Sequence, residues 1–167
     1  MADRMDILPA QKMELNNAIF DWQELYRHAH DWLSWLKYDI WEHEYVESAG
    51  PAGKTIKVIW NCEREIDDYS KFVIYIIYSL NGISDVGVEQ NGEIVRYQKG
   101  NISVTVQAYI VLDRDDRWKY GKASKTIKKL YEKFLYREQI ETMIGQIWGE
   151  GWGFYNEVKS FLNLYKY

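Results

Sequence analysis

From Ile56 to Leu112 apolar residues recur at every second position, in runs separated by segments too short to hold a crossover helix. A period of two puts successive side chains on opposite faces of a strand. Links this short allow hairpins and rule out the long crossovers that parallel pairing requires. The centre of the chain is thereby committed to an antiparallel meander.

The runs are specific. Ile56, Val58, Trp60 and Cys62 alternate with Thr55, Lys57, Ile59 and Asn61. Phe72, Ile74, Ile76, Tyr78 and Leu80 share one face, while Val73, Tyr75 and Ile77 make the other face apolar as well, which marks a central strand. Asn91-Gly92 is the dipeptide of a type I′ turn, because both central residues need φ > 0. Val86 and Val88 lead into it, and Val95 and Tyr97 lead out. Gly100-Asn101 reads as a further turn, after which Ile102, Val104, Val106, Ala108, Ile110 and Leu112 alternate with polar residues and Tyr109. Upstream, Trp41-Glu-His-Glu-Tyr45 alternates too, and Gly50-Pro-Ala-Gly53 is a turn, so the sheet is expected over 41–113.

Both flanks read at helical spacing. Leu15, Ala18, Ile19, Trp22, Leu25, Tyr26, Ala29, Trp32, Leu33 and Leu36 predict a helix over 12–38, with Pro9 tolerated in its first turn. After the charged loop Asp113-Arg-Asp-Asp-Arg117, a helical segment is expected over 120–165, and it carries two apolar stripes. Ile127, Leu130, Tyr131, Phe134 and Leu135 form the first. Ile140, Met143, Ile144, Ile147, Trp148, Tyr155, Val158, Phe161 and Leu162 form the second, rotated by roughly 140° from it. One long helix or a helix pair satisfies this pattern. With the first stripe assigned to the sheet, the second is expected to meet another copy of the chain. The fold class is α+β: an antiparallel β-meander sheet covered on one face by an N-terminal helix and a long C-terminal helix or helix pair, as a single domain over 1–167.

Composition narrows the setting. Among 167 residues, 47% are hydrophobic and 16% aromatic, enough for a sizeable core with aromatic side chains left over for an interface or a pocket. A lone cysteine, Cys62, excludes an internal disulfide and agrees with a reducing, cytoplasmic location. Met1 to Leu15 lacks an apolar signal core, and the longest apolar run, Phe72 to Tyr78, is far short of the roughly 20 residues of a membrane span.

Charge is distributed unevenly. Over 1–70, fourteen acidic residues face seven basic ones; over 114–137, nine basic residues face three acidic ones. Lys122, Lys125, Lys129, Lys133 and Arg137 keep to one helical face, with Arg117, Lys119 and Lys128 nearby. That stripe fits an anionic partner (nucleic acid, an acidic membrane surface or an acidic protein), with Trp118, Tyr120 and Tyr136 as stacking platforms; the plain alternative is the solvated side of an amphipathic helix.

The residues that carry chemistry form no motif. His28 and His30 lie two apart on a helix and cannot chelate together, and His43 stands alone. Cys62 shares an apolar strand face with Trp60, the position of a core thiol. Glu63, Glu65, Asp67 and Asp68, like Asp113, Asp115 and Asp116, lack the offsets and glycine of a Ca²⁺ loop. Gly149-Glu-Gly-Trp-Gly153 lacks the lysine and hydroxyl of a phosphate loop. No metal, cofactor or catalytic residue is expected, and the balance leans away from an enzyme.

Three functional readings follow. The first is a non-enzymatic binding or assembly module that self-associates through Ile140, Met143, Ile144, Ile147, Trp148, Tyr155 and Phe161. The second is a small-molecule binding protein or enzyme of helix-grip-like arrangement, with an aromatic cavity lined by Trp41, Trp60, Tyr75 and Tyr109. The third is nucleic-acid binding through the basic stripe.

Finally, Glu63-Arg-Glu-Ile-Asp-Asp-Tyr-Ser-Lys-Phe72, Val111-Leu-Asp, Tyr131-Glu-Lys-Phe-Leu-Tyr-Arg137 and Asn156-Glu-Val-Lys-Ser-Phe-Leu-Asn163 resemble conserved archaeal proteins of unknown function. The resemblance covers most of the chain past Trp41. It implies a cytoplasmic archaeal origin and assigns no activity to any residue.

Overall fold

A computed structural model describes residues 3–115 and 122–163, with side chains in the second stretch described from 125 onward. Five strands form one antiparallel sheet: β1 (Asp3–Phe20), β2 (Asp39–Gly50), β3 (Gly53–Glu65), β4 (Ser70–Gln90) and β5 (Glu93–Leu112). Their spatial order is β1-β5-β4-β3-β2, so β4 is central and the meander closes back onto β1. Helix α1 (Trp22–Trp35) carries the chain across one face, from the β1 edge to the β2 edge. Helix α2 (Lys122–Leu130) runs into a single π-helical turn (Tyr131–Leu135), and α3 (Arg137–Asn163) follows.

The expected helix over 12–38 begins ten residues late. Residues 3–20 form an edge strand paired with β5, and its alternation is hidden by register shifts between Asp6 and Leu8, Leu8 and Gln11, and Leu15 and Ala18. These bulges space the buried side chains Leu8, Met13 and Phe20 irregularly, so a helical count fits them as well as a strand count does. The helix starts where a cap permits: Asp21 is extended, and its carboxylate accepts from the Glu24 N–H at 3.2 Å. The sheet accordingly includes 3–20 as well as 39–112. The expected turn at Gly100-Asn101 is also absent, because β5 runs through it. The turn at Asn91-Gly92 is formed, with φ of 53° and 82°.

Helices α1 and α3 lie on one face of the sheet. Ile56, Val58, Trp60 and Cys62 of β3, Phe72 to Leu80 at alternate positions of β4, and Ile102 to Leu112 of β5 point into this layer and are buried. Leu25, Ala29 and Leu33 of α1 and Met143, Ile147, Phe154, Val158 and Leu162 of α3 complete the core. At Gly151 the α3 backbone comes so close to the sheet that a Cβ would stand 3.0 Å from Leu8 and 3.1 Å from Ala108. A glycine here sets the helix–sheet distance, which accounts for one member of the Gly149–Gly153 cluster. The Cys62 thiol is buried and burial pushes its pKa up, as befits a core residue.

The C-terminal stripes are used in the opposite sense to the expectation. Met143 and Ile147 are buried against the protein's own sheet, and Ile140, Ile144, Tyr155 and Phe161 pack beside them, leaving only Trp148 largely exposed. Four of the five residues in the stripe assigned to the sheet face solvent, Ile127, Leu130, Phe134 and Leu135 being 51%, 51%, 68% and 72% exposed, while Tyr131 packs against the core beside Tyr69. Periodicity fixes the phase between two stripes but not which one the sheet receives. The helix breaks at Tyr136, whose N–H reaches back to the Tyr131 carbonyl at 3.0 Å. The expected ends of the helical segment, at 120–121 and 164–165, lie outside the described residues.

Polar contacts rather than the exposed stripe hold α2 and the π turn to the body. Lys128, nearly buried, reaches Asp3 at 2.7 Å and the fully buried Asp113 at 3.5 Å. Burial pulls its pKa down, but the Asp3 hydrogen bond and the nearby carboxylates outweigh that and raise it. Tyr69 donates to Glu132 at 2.6 Å. The Tyr136 hydroxyl bonds to Asp67, whose carboxylate also accepts from the Ser70 N–H at 2.7 Å and the Ser70 hydroxyl at 2.9 Å. Burial acts to raise the Asp67 pKa, and these donors outweigh it to leave the group below the usual carboxylate value.

Candidate functional site

The strands are longer than the helical layer that covers them. At one end of the sheet the inner face of β2 to β5 overhangs the start of α1, and the gap is a pocket of about 570 Å³. That lies within the span of about 300–1,000 Å³ usual for small-molecule sites.

A backbone kink aims the overhang. Gly82 adopts φ of +63° within the β4 irregularity between Asn81 and Ser84. Opposite it, a Cβ on Gly100 would stand 2.6 Å from Ile83 Cδ1 and 2.8 Å from the Gly82 carbonyl oxygen. Only glycine fits where the two strands close on each other, and this is why Gly100 looks like a turn in sequence yet continues a strand. Beyond the kink, Ile83 and Asp85 of β4 and Arg96 and Gln98 of β5 line the pocket.

One wall is aromatic. Trp22 and Tyr26 from the first turns of α1 meet Tyr45 of β2, with Tyr26 and Tyr45 rings edge to face at 6.2 Å. Tyr26 also packs edge-on against Trp60 at 5.0 Å, and the Trp22 ring contacts Tyr78 at 5.5 Å, so the wall is continuous with the core. Tyr26 donates to Glu42 at 2.6 Å; burial first, then this carboxylate, pushes its pKa up to about 12, so it is a neutral donor at physiological pH.

The rim is charged, and most of it is committed. Asp21 caps α1, Glu47 pairs with Lys54 at 3.2 Å, and Asp85 accepts from Gln98 at 3.3 Å. Gln98 accepts from the Trp22 N–H at 2.8 Å, tying the hairpin to the helix start. The Arg96 guanidinium has no partner among the described residues. A cation of fixed charge thus stands across from an aromatic wall with its donors unused.

The residues singled out in the sequence lie elsewhere. Trp60 faces inward but is fully buried in the core. Trp41 pairs with Asn61, Tyr75 with Gln107 and Tyr109 with Val73, all positions of the opposite, helix-free face of the sheet. Trp41 is 61% exposed there, and Tyr109 carries the Arg4 guanidinium 3.9 Å over its ring. The four therefore line no common cavity, because strand parity separates Trp60 from the other three. Lys125, Lys129, Lys133 and Arg137 are exposed, Arg137 pairing with Glu141 at 3.0 Å, while the neighbouring Lys128 is engaged by Asp3 and Asp113. The side chain of Lys122, and all of Arg117, Trp118, Lys119 and Tyr120, lie outside the described residues.

The sequence reading missed Arg96, Gln98, Tyr45 and the start of α1. Nothing in the sequence marks them, because the Val86–Tyr97 hairpin overhangs its neighbours only once the strands are paired, β1 ending opposite Gln98 and β3 opposite Ile83. His28 is absorbed by Glu157 at 2.8 Å and by stacking on Phe161 at 5.4 Å. Among the described residues no group of three or more His, Cys, Asp or Glu is placed to hold a metal, and no helix is long and apolar enough to cross a membrane.

No family model matches the chain, and comparisons with curated proteins and with solved structures return no match. The functional reading therefore rests on geometry.

Proposed function

We propose that this protein binds a small molecule in the pocket at the overhanging end of its sheet, and that the ligand has a planar body and an anionic group. The observation that carries this reading is the Arg96 guanidinium, without a partner among the described residues, lining the same pocket of about 570 Å³ as Trp22, Tyr26 and Tyr45. The wall offers ring edges and faces to a flat ligand, and Arg96 offers a planar fork of donors to a carboxylate or phosphate. The lining includes no serine, threonine, cysteine or histidine. Lys54 and Glu47 are held in an ion pair and Asp85 accepts from Gln98, so binding is the role proposed for this lining.

The α3 stripe offers little to a second copy of the chain, since Ile140, Met143, Ile144, Ile147, Tyr155 and Phe161 belong to the protein's own core and Trp148 alone is largely exposed.

Thermal unfolding with benzoate, indole-3-acetate and adenosine monophosphate, alongside neutral analogues of each, tests the proposal. At least one anion is expected to raise the midpoint and quench tryptophan fluorescence, with both effects lost in Arg96→Ala and weakened in Tyr45→Ala. If none of the anions acts at millimolar concentration, or if Arg96→Ala responds as the parent does, the reading fails.

A further inference from the structure

The segment 125–135 exposes two kinds of side chain that the fold does not use. Ile127, Leu130, Phe134 and Leu135 are each more than half exposed along a ridge of about 12 Å. Lys125, Lys129 and Lys133 are exposed as well and have no ion-pair partner among the described residues; the Lys133 ammonium lies 5.4 Å over the Phe134 ring. Meanwhile Lys128, Tyr69 and Tyr136 anchor the segment from its inner side. The body thus holds the helix firmly by one edge and presents the rest outward.

We infer that this ridge is a docking surface for an anionic lipid bilayer, lying in the plane of the membrane interface. The charge pattern selects this occupant. An amphipathic helix with lysines beside an apolar stripe matches a headgroup layer above an acyl layer. Nucleic acid would satisfy the lysines but offer nothing to Ile127, Leu130 or Leu135. A second copy docked by two-fold symmetry would cover the apolar residues but bring the two sets of lysines together, at a cost in like-charge repulsion. A bilayer rich in acidic lipid satisfies both sets at once. The excess of acidic residues over 1–70 would turn the remainder of the molecule away from the same surface.

Co-sedimentation of the whole chain with vesicles tests this inference. The protein is expected to pellet with vesicles of equal parts phosphatidylcholine and phosphatidylglycerol, to release as salt rises, and to ignore pure phosphatidylcholine. Replacing Lys125, Lys129 and Lys133 by Gln should weaken partitioning about a hundred-fold. Phe134→Ser with Leu135→Ser should weaken it about ten-fold or more. All five positions are exposed, and unchanged circular dichroism and thermal midpoints would confirm that the variants stay folded. The inference is overturned if the parent stays in the supernatant at low salt, or if it pellets and both variants pellet equally well. It is overturned too if light scattering shows a dimer that Phe134→Ser dissolves, or if a short RNA binds and only the lysine variant loses it.

Discussion

Tyr78, halfway along β4, has a fully buried ring between Trp22 and Trp60, and its hydroxyl finds no partner among the described residues. Burial, the largest cause, pushes its pKa well up, so ionisation offers no relief. An unsatisfied buried hydroxyl costs about 1–3 kcal/mol. Tyr78→Phe removes the oxygen and keeps the ring, so urea unfolding should show a stability unchanged or raised by about 1 kcal/mol. A loss of that size would mean that the hydroxyl has a partner in solution. The inward orientation of Tyr78 was legible, since it shares parity with Phe72, Ile74 and Ile76. Its lack of a partner was not, because the surrounding groups arrive from α1 and β3. Arg96 was illegible for the same reason: an exposed arginine in a hairpin acquires meaning only once Tyr26 and Tyr45 stand opposite.

At the scale of elements, legibility followed regularity. β3, β4 and the second half of β5 alternate without interruption and were readable, as was the Asn91-Gly92 turn. β1 was read as helix because three register shifts break its alternation, and Leu15, Ala18 and Ile19 continue by chance into the true spacing of α1. The two C-terminal stripes were correctly found and assigned to the wrong surroundings. What seats α3 on the sheet is spatial: the close approach at Gly151, and a partly buried ion pair at its midpoint. Arg64 of β3 meets Glu150 at 2.9 Å, donates to the Leu36 carbonyl at 2.6 Å, and stacks over Tyr38, which itself donates to Glu150 at 2.6 Å. With side chains 15% and 14% exposed, the pair joins the exit of α1, β3 and α3 in a poorly hydrated place. Glu150→Leu strands the guanidinium and should cost about 2–4 kcal/mol in urea unfolding. Arg64→Met combined with Glu150→Leu removes both charges and should cost less than Glu150→Leu alone. Simple additivity of the two substitutions would show that the pair acts as two separate packing residues.

Over the whole molecule, the pocket and the lysine-flanked ridge occupy opposite ends of the same sheet. Ile83, Asp85 and Gln98 mark the pocket end of the β4–β5 pair. The other end is marked by the start of β4 and the end of β5, where Ser70 pairs with Leu112 and Tyr69 and Asp113 hold α2 and the π turn. Ser70 and Ile83 lie thirteen positions apart on β4, on the order of 40 Å at strand spacing. A ridge lying on a bilayer would therefore leave the pocket mouth pointing into water, open to a soluble ligand. Between the ends β4 and β5 are continuous, and the kink at Gly82 and Gly100 is closed by backbone contacts. Coupling between sites requires an element that both can bias. The two proposed activities should then be independent. Arg96→Ala is expected to pellet with acidic vesicles as the parent does, and Phe134→Ser with Leu135→Ser is expected to keep the full thermal shift with whichever anion the parent binds. Measuring each variant in both assays is the check, and a ligand-dependent change in vesicle partitioning would refute independence. It would mean that the sheet transmits strain along its length, with the glycine kink as the place where it bends.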